Sequence, residues 1–182
     1  MALKGLFRRG RQERTGFELY GKAVAAARDP FLYLDLLVPD TLDGRFDMIG
    51  LHNFLVIQRL KREPQPGPDL AQAVFDAMFA DMDINLRELS VGDLSVGRKV
   101  RQMWEAFHGR AVAYSEAMER GDMPALDAAL RRNVWRGEPI ADAPVAAMCR
   151  LVLAQEACLA GQSFDSLRAG EAMFLPAKEA AQ

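Results

Sequence analysis

The chain has 182 residues, 50% hydrophobic and 26% charged, a composition that suits one globular domain and excludes both a disordered chain and two large independent cores. A net charge of -2 argues against broad, sequence-independent binding of nucleic acid through phosphate contacts. Two cysteines exclude a disulfide framework, point to a reducing compartment and, with only His52 and His108 beside them, leave little for a His/Cys zinc site.

Residues 1–15 carry five basic side chains (Lys4, Arg8, Arg9, Arg11, Arg14) against Glu13, a net +4 that leaves -6 on the rest. Gly5, Gly10 and Gly16 weaken a helix there, so the segment is expected to be a flexible basic arm. Its alternative role is weak attachment to anionic lipid or ribosomal RNA, helped by Leu3, Leu6 and Phe7. Basic residues without a following apolar stretch or cleavage-like site are not read as a signal peptide. The longest apolar run noted, Phe31 to Val38, is interrupted by Asp35 and falls far short of the roughly 20 residues that span a bilayer. The expected location is therefore the cytoplasm, or the inner face of a membrane as a peripheral protein.

From residue 16 onward apolar side chains recur at three and four residues, and strand-like alternation is absent, so the expected fold is all-α: one bundle of about six to seven helices over 16–165. A first helix covers about Gly16 to Arg28. Asp29 caps a second, with Pro30 at its first position, and the segment Phe31 to Val38 is so apolar that it is either buried or a binding surface. A third helix covers Arg45 to Arg62 and stops at the proline-rich stretch 63–68. Asp69 caps a fourth, to about Leu89, with a stripe of Phe75, Phe79, Met82, Leu86 and Leu89. Ser90–Gly92 breaks it. A fifth, from Asp93 to Arg120, carries a matching stripe of Val96, Val100, Met103, Phe107, Ala111, Tyr114 and Met118, and the two stripes should face each other. Gly121 ends that helix, Asp122 and Pro124 start a sixth that runs to Trp135, and a last helix covers Asp142 or Pro144 to Leu159. Residues 166–182 read as a weakly ordered tail.

The motifs of dinucleotide, phosphate-loop, serine-hydrolase and zinc-hydrolase chemistry are missing, and no cofactor is expected. Asp76, Asp81 and Asp83 resemble a magnesium–diphosphate cluster only in composition: at 100° per residue Asp81 points away from Asp83, which pairs better with Arg87. Cys149 and Cys158 lie about 13 Å apart on one helix and cannot bond within the chain. His52 sits among Met48, Ile49, Leu55 and Val56 on an apolar face, as a satisfied core residue or a partner contact. His108 reads as a surface or boundary residue. Arg98, Lys99 and Arg101 stand in the first turns of their helix, where the dipole favours anions, so they are either paired internally with Glu88 or Asp93 or form a basic patch for an acidic partner or lipid headgroup. Gly97 permits close approach of another backbone.

The stretch MFADMDINLRELSVGDLSVGRKVRQMWEAFHGRAVAY, Met78 to Tyr114, resembles the core signature of the ubiquinol-cytochrome c chaperone family. YGKAVAAARDPFLY (Tyr20 to Tyr33) and MIGLHNFLVIQRL (Met48 to Leu60) resemble that family's preceding helices. The resemblance implies a non-enzymatic assembly factor for the respiratory cytochrome bc complex (complex III), whose mitochondrial relatives assist newly made cytochrome b with a small partner near the ribosomal exit site. It implies that Asp93, Leu94, Ser95, Gly97, Arg98, Lys99, Phe107, Gly109 and Arg110 belong to a common surface or its support. The expected partner-binding residues are Phe31, Leu34, His52 and Phe54 in an apolar groove, with Asp93, Ser95, Gly97, Arg98, Lys99, Arg101 and Arg110 around a basic patch. The expected partners are cytochrome b or complex III intermediates, a small co-chaperone, and an anionic membrane surface or the ribosome, with no DNA. Two rivals remain: a helical enzyme acting on an isoprenoid or quinone-like substrate, and a regulatory nucleic-acid-binding domain using Arg98–Arg101 or Arg131–Arg132.

Overall fold

A computed structural model of the chain describes residues 2–88 and 93–182, with the backbone alone for 2–9 and 93–95. Its elements are α1 (Ala2–Ala27), α2 (Pro30–Leu34), α3 (Leu42–Lys61), α4 (Gly67–Glu88), α5 (Asp93–Arg120), α6 (Met123–Val134), α7 (Asp142–Ala160), α8 (Phe164–Arg168) and α9 (Ala177–Ala180), with no strand among the described residues. The all-α expectation holds. Leu89 and the Ser90–Gly92 break lie outside the described residues.

The basic segment departs from the expected arm: residues 2–15 extend α1 as continuous helix. Gly16, read from sequence as a helix weakener, is instead where α1 crosses α4. A Cβ built there would lie 2.7 Å from the backbone carbonyl of Ala73, so only a residue without a side chain admits this approach. The crossing outweighs glycine's cost of roughly 1 kcal/mol in a helix interior. Gly16→Val should destabilise the protein by about 1–3 kcal/mol or more through overpacking, read as a lower denaturant midpoint with unchanged m-value.

Local chemistry fixes most of the other ends. Asp29 caps α2 by accepting from the Phe31 amide at 2.9 Å, with Pro30 leading. The helix stops at Leu34, earlier than the apolar run suggested, and the chain reverses through Leu37 at φ +57°. That reversal splits the run: Leu32, Leu36 and Val38 enter the core, while Leu34 and Leu37 stay exposed. Thr41 caps α3 at the Gly44 amide, and the helix begins at Leu42, three residues before the expected start. Asp69 lies within the first turn of α4 rather than capping it. Gly121 at φ +63° ends α5, and Asp122 caps α6 by accepting from the Ala125 amide at 3.0 Å.

Helix α3 is central, with Leu51, Leu55, Val56 and Leu60 almost fully buried and neighbours on every side, among them α1, α4 and α7. The α4 and α5 stripes meet as expected, Phe107 lying 5.7 Å from Phe75 and 6.4 Å from Phe79 between ring centres. Helix α7 corrects the membrane reading: it has 19 residues, and an 18-residue window of it reaches a mean hydropathy of 1.4, long and apolar enough by length and composition to cross a bilayer. It is no uninterrupted apolar run, because Arg150, Gln155 and Glu156 punctuate it. In the fold its Val145, Met148, Leu151 and Val152 are buried, and it packs on α3, α6 and α9.

The tail also differs from expectation. Leu167, Ala172, Ala177 and Ala180 are buried, and polar side chains take over the hydrogen bonding that regular structure would otherwise supply. The Gln155 amide brackets Leu175, donating to its carbonyl at 2.8 Å and accepting from its N–H at 2.9 Å; Gln162 treats Met173 alike. Asp29 accepts from the Ala177 amide at 3.1 Å. These side chains are what hold a segment of weak intrinsic pattern against the core.

Candidate functional site

An open cleft of about 610 Å³ lies between α1, the α2–α3 region, α4 and α5. Its floor is apolar, with Phe46, Ile49, Met82, Leu86 and Met103, because the inward stripes of three helices converge there. Methionine among aromatic and branched side chains gives such a floor an adaptable shape. Five basic residues line the cleft, Arg28, Arg45, Lys99, Arg110 and Arg136, against the acidic Asp43 and Asp81. Arg45 pairs with Asp40, and Arg110 and Arg136 share Asp47, so the positive charge of the cleft rests on Arg28 and Lys99, which have no ion pair among the described residues.

Asp47 organises one end. Its side chain is 2% exposed and bridges Arg110 of α5 and Arg136 beyond α6, Arg136 at 2.9 Å. Burial pushes the Asp47 carboxyl up, and the two guanidiniums oppose that shift. Arg136 also reaches Asp43 at 3.4 Å, and its φ of +57° follows directly after Trp135. The Trp135 indole N–H donates to the Leu37 carbonyl at 3.1 Å, tying the end of α6 to the α2–α3 reversal. Sequence spacing missed this bridge, which joins residues 63 and 89 positions apart. On the opposite wall the Tyr20 hydroxyl donates to Asp81 at 2.6 Å, and burial with that carboxylate pushes the Tyr20 phenol up.

The expected partner residues fall into different places. Lys99 and Arg110 line the cleft; Leu34 is exposed, and Phe31 packs half-buried against the core. His52 and Phe54 are corrected: at 1% and 5% exposure they belong to the core and line no open groove. Phe54 packs on Tyr114, whose phenol burial pushes up to about 12. Arg98 is exposed with no ion pair among the described residues, and Arg101 pairs with Glu105 at 3.0 Å. Gly97 has nothing within 4 Å of a built Cβ among the described residues, so none of their backbone approaches it. The Asp93 and Ser95 side chains, and the pairing of the patch with Asp93, lie outside the described residues.

His52 is the satisfied core histidine: its Nδ1 is 2.8 Å from the Met48 carbonyl, and its ring is 5.5 Å from that of Phe174. Burial holds its pKa below the usual 6.5, against the opposing Met48 carbonyl and Asp29. As pH falls below about 6.5 the unfolded chain therefore takes up a proton before the folded one, so stability present above that pH is lost on acidification. The slope contributed by this one group should approach about 1.4 kcal/mol per pH unit, and His52→Leu should flatten it in melts compared at neutral and mildly acid pH.

The acidic residues are engaged locally. Gln72 donates to Asp76 at 2.7 Å, Arg87 to Asp83 at 2.7 Å as expected, and Asp81 is held by Tyr20. No His/Cys/Asp/Glu group suited to a metal occurs among the described residues. Cys149 and Cys158 are free thiols; burial pushes Cys149 up to about 11. Arg131, offered for nucleic-acid contact, is tied to Asp127 and Asp142, each at 2.6 Å. His108 is exposed and stacks on Trp104 with ring centres 4.1 Å apart.

Fold and cleft together define an all-α protein with an open, apolar-floored and basic-lined depression. The family model described as ubiquinol-cytochrome C chaperone matches residues 34–174, which takes in most of the cleft, and the chain belongs to that family. It is similar to the crystal structure of the Cbp3 homolog from Brucella abortus, with a TM-score of 0.84 and 35% identity over 98% of this chain and 99% of that one. It is also 27% identical over 97 residues to the Xenopus laevis ubiquinol-cytochrome-c reductase complex assembly factor 1, covering 53% of this chain. The match spans 48% of that relative, about half its length.

Proposed function

We propose that this protein is a non-enzymatic assembly factor for ubiquinol-cytochrome c reductase, complex III, and that it binds newly made cytochrome b or an early intermediate. The observation that carries the reading is the cleft, most of it within the family-matched stretch, with an apolar floor edged by basic side chains of which Arg28 and Lys99 carry no ion pair among the described residues. An apolar helix or terminal segment of a membrane protein needs such a floor before it is inserted or paired, and peripheral charges orient it. The protein would work at the inner face of the membrane, with a small co-chaperone as a further partner.

The test is to tag the protein in its own cell, solubilise membranes gently and identify what co-purifies, alongside a deletion strain. Enrichment of cytochrome b or immature complex III, with less complex III on deletion, is the expected result. Soluble proteins or nucleic acid alone, with complex III unaffected by deletion, would refute it. The basic patch has its own prediction: Arg98→Glu with Arg101→Glu should keep the helical circular dichroism, both side chains being exposed, and lower complex III content.

A further inference from the structure

A second, smaller cavity of about 340 Å³ lies away from the cleft, where α1, the α3–α4 turn and α8 meet. Arg11 and Gln12 of α1, Thr15 one turn on, Gln65 and Pro66 before α4, and Arg168 of α8 form its walls with Leu70. No acidic residue is among these lining residues.

Three features make it a receptor for negative charge. Arg11 has no ion pair among the described residues, and Arg168 has only a 3.4 Å contact with Asp165, itself 91% exposed, so neither guanidinium is neutralised inside the cavity. The Arg168 guanidinium stands 5.8 Å from the Phe164 ring centre, an arrangement that orients a cation without cancelling its charge. The side-chain nitrogen of Gln12 is buried and has no acceptor among the described residues. A buried donor without a partner is costly, and here it belongs to a residue of the cavity wall. The first turn of α4 borders the same space through Leu70, but Asp69 in that turn offsets its positive end.

We infer that this cavity binds a phosphate group, held in the forks of Arg11 and Arg168 with the Gln12 amide donating to one of its oxygens. The phosphate comes either from a free phosphate compound or from the headgroup of an anionic lipid. The basic sequence that precedes Arg11 on α1, Lys4 to Arg9, suits both sources.

The full chain would be titrated with inorganic phosphate, followed by thermal unfolding at constant ionic strength in chloride, and floated with vesicles of phosphatidylglycerol or phosphatidylcholine. A phosphate-dependent rise in melting temperature, lost in Arg11→Gln with Arg168→Gln, assigns the site to a free phosphate. No response to inorganic phosphate, with phosphatidylglycerol binding weakened about tenfold or more in that variant and no phosphatidylcholine binding, assigns it to a headgroup. Gln12→Leu adds a second reading: it should stabilise the unliganded protein yet reduce the response to phosphate or lipid, which loss of a purely structural amide would leave unchanged. The inference is overturned if the double arginine variant behaves as wild type in both assays. It is equally overturned if Arg98→Gln with Arg101→Gln, far along the chain on α5, causes the same loss.

Discussion

Replacing Asp47 with alanine should cost about 3–5 kcal/mol of stability, because it leaves the Arg110 guanidinium facing a buried position with no counter-charge and Arg136 with only the exposed Asp43. The carboxylate is 2% exposed and is the shared partner of Arg110 and Arg136. The expected fall in melting temperature is roughly 6–20 °C for a chain of this size, measured by circular dichroism. Asp47→Asn should fall between wild type and alanine, since it keeps hydrogen-bond acceptance and loses the charge. Equal melting of wild type and Asp47→Ala would show that the bridge contributes nothing net. The bridge also connects α3, α5 and the turn after α6 at one end of the cleft, so its loss should loosen that wall before the central packing of α3.

Filling the cleft should remove function while sparing the fold. Ala106 is an exposed residue on the α5 wall, and Ala106→Trp would place an indole over the floor of Met103 and Phe46 without entering the core. A partner displaced by only about 1.4 kcal/mol binds about tenfold more weakly. The expected result is therefore a complex III content close to that of the deletion strain, with the variant protein at normal level and melting temperature. Normal complex III in that strain would separate the cleft from the assembly role while leaving family membership untouched.

Much of the fold was legible because its signals are local. Asp29–Pro30 and Gly121–Asp122 act within one turn of chain, and caps there depend on neighbouring atoms only. The α4 and α5 stripes were legible for a similar reason, since helical periodicity alone puts Phe75, Phe79 and Phe107 on faces that must be buried. Local signals misled where a distant element decided the outcome. Gly16 weakens an isolated helix but permits the α1–α4 contact, and the tail from Leu167 onward is held by Gln155 and Gln162 of another segment.

The candidate site was less legible. Lys99, noticed for its place in the first turns of α5, and Arg110, implied by the family resemblance, both line the cleft, whereas His52 and Phe54 were expected in a groove because an apolar helical face looks the same whether it meets a partner or the rest of the core. Asp47, Arg136 and the Tyr20–Asp81 wall carried no spacing signal at all, being assembled from residues up to 89 positions apart. The sequence by itself determined the helical class, most helix boundaries and, through the long motif around Met78 to Tyr114, the family. Only the tertiary structure decided which apolar faces remain open and which charges are already paired, because burial and ion pairing depend on three-dimensional neighbours that periodicity along one helix does not encode.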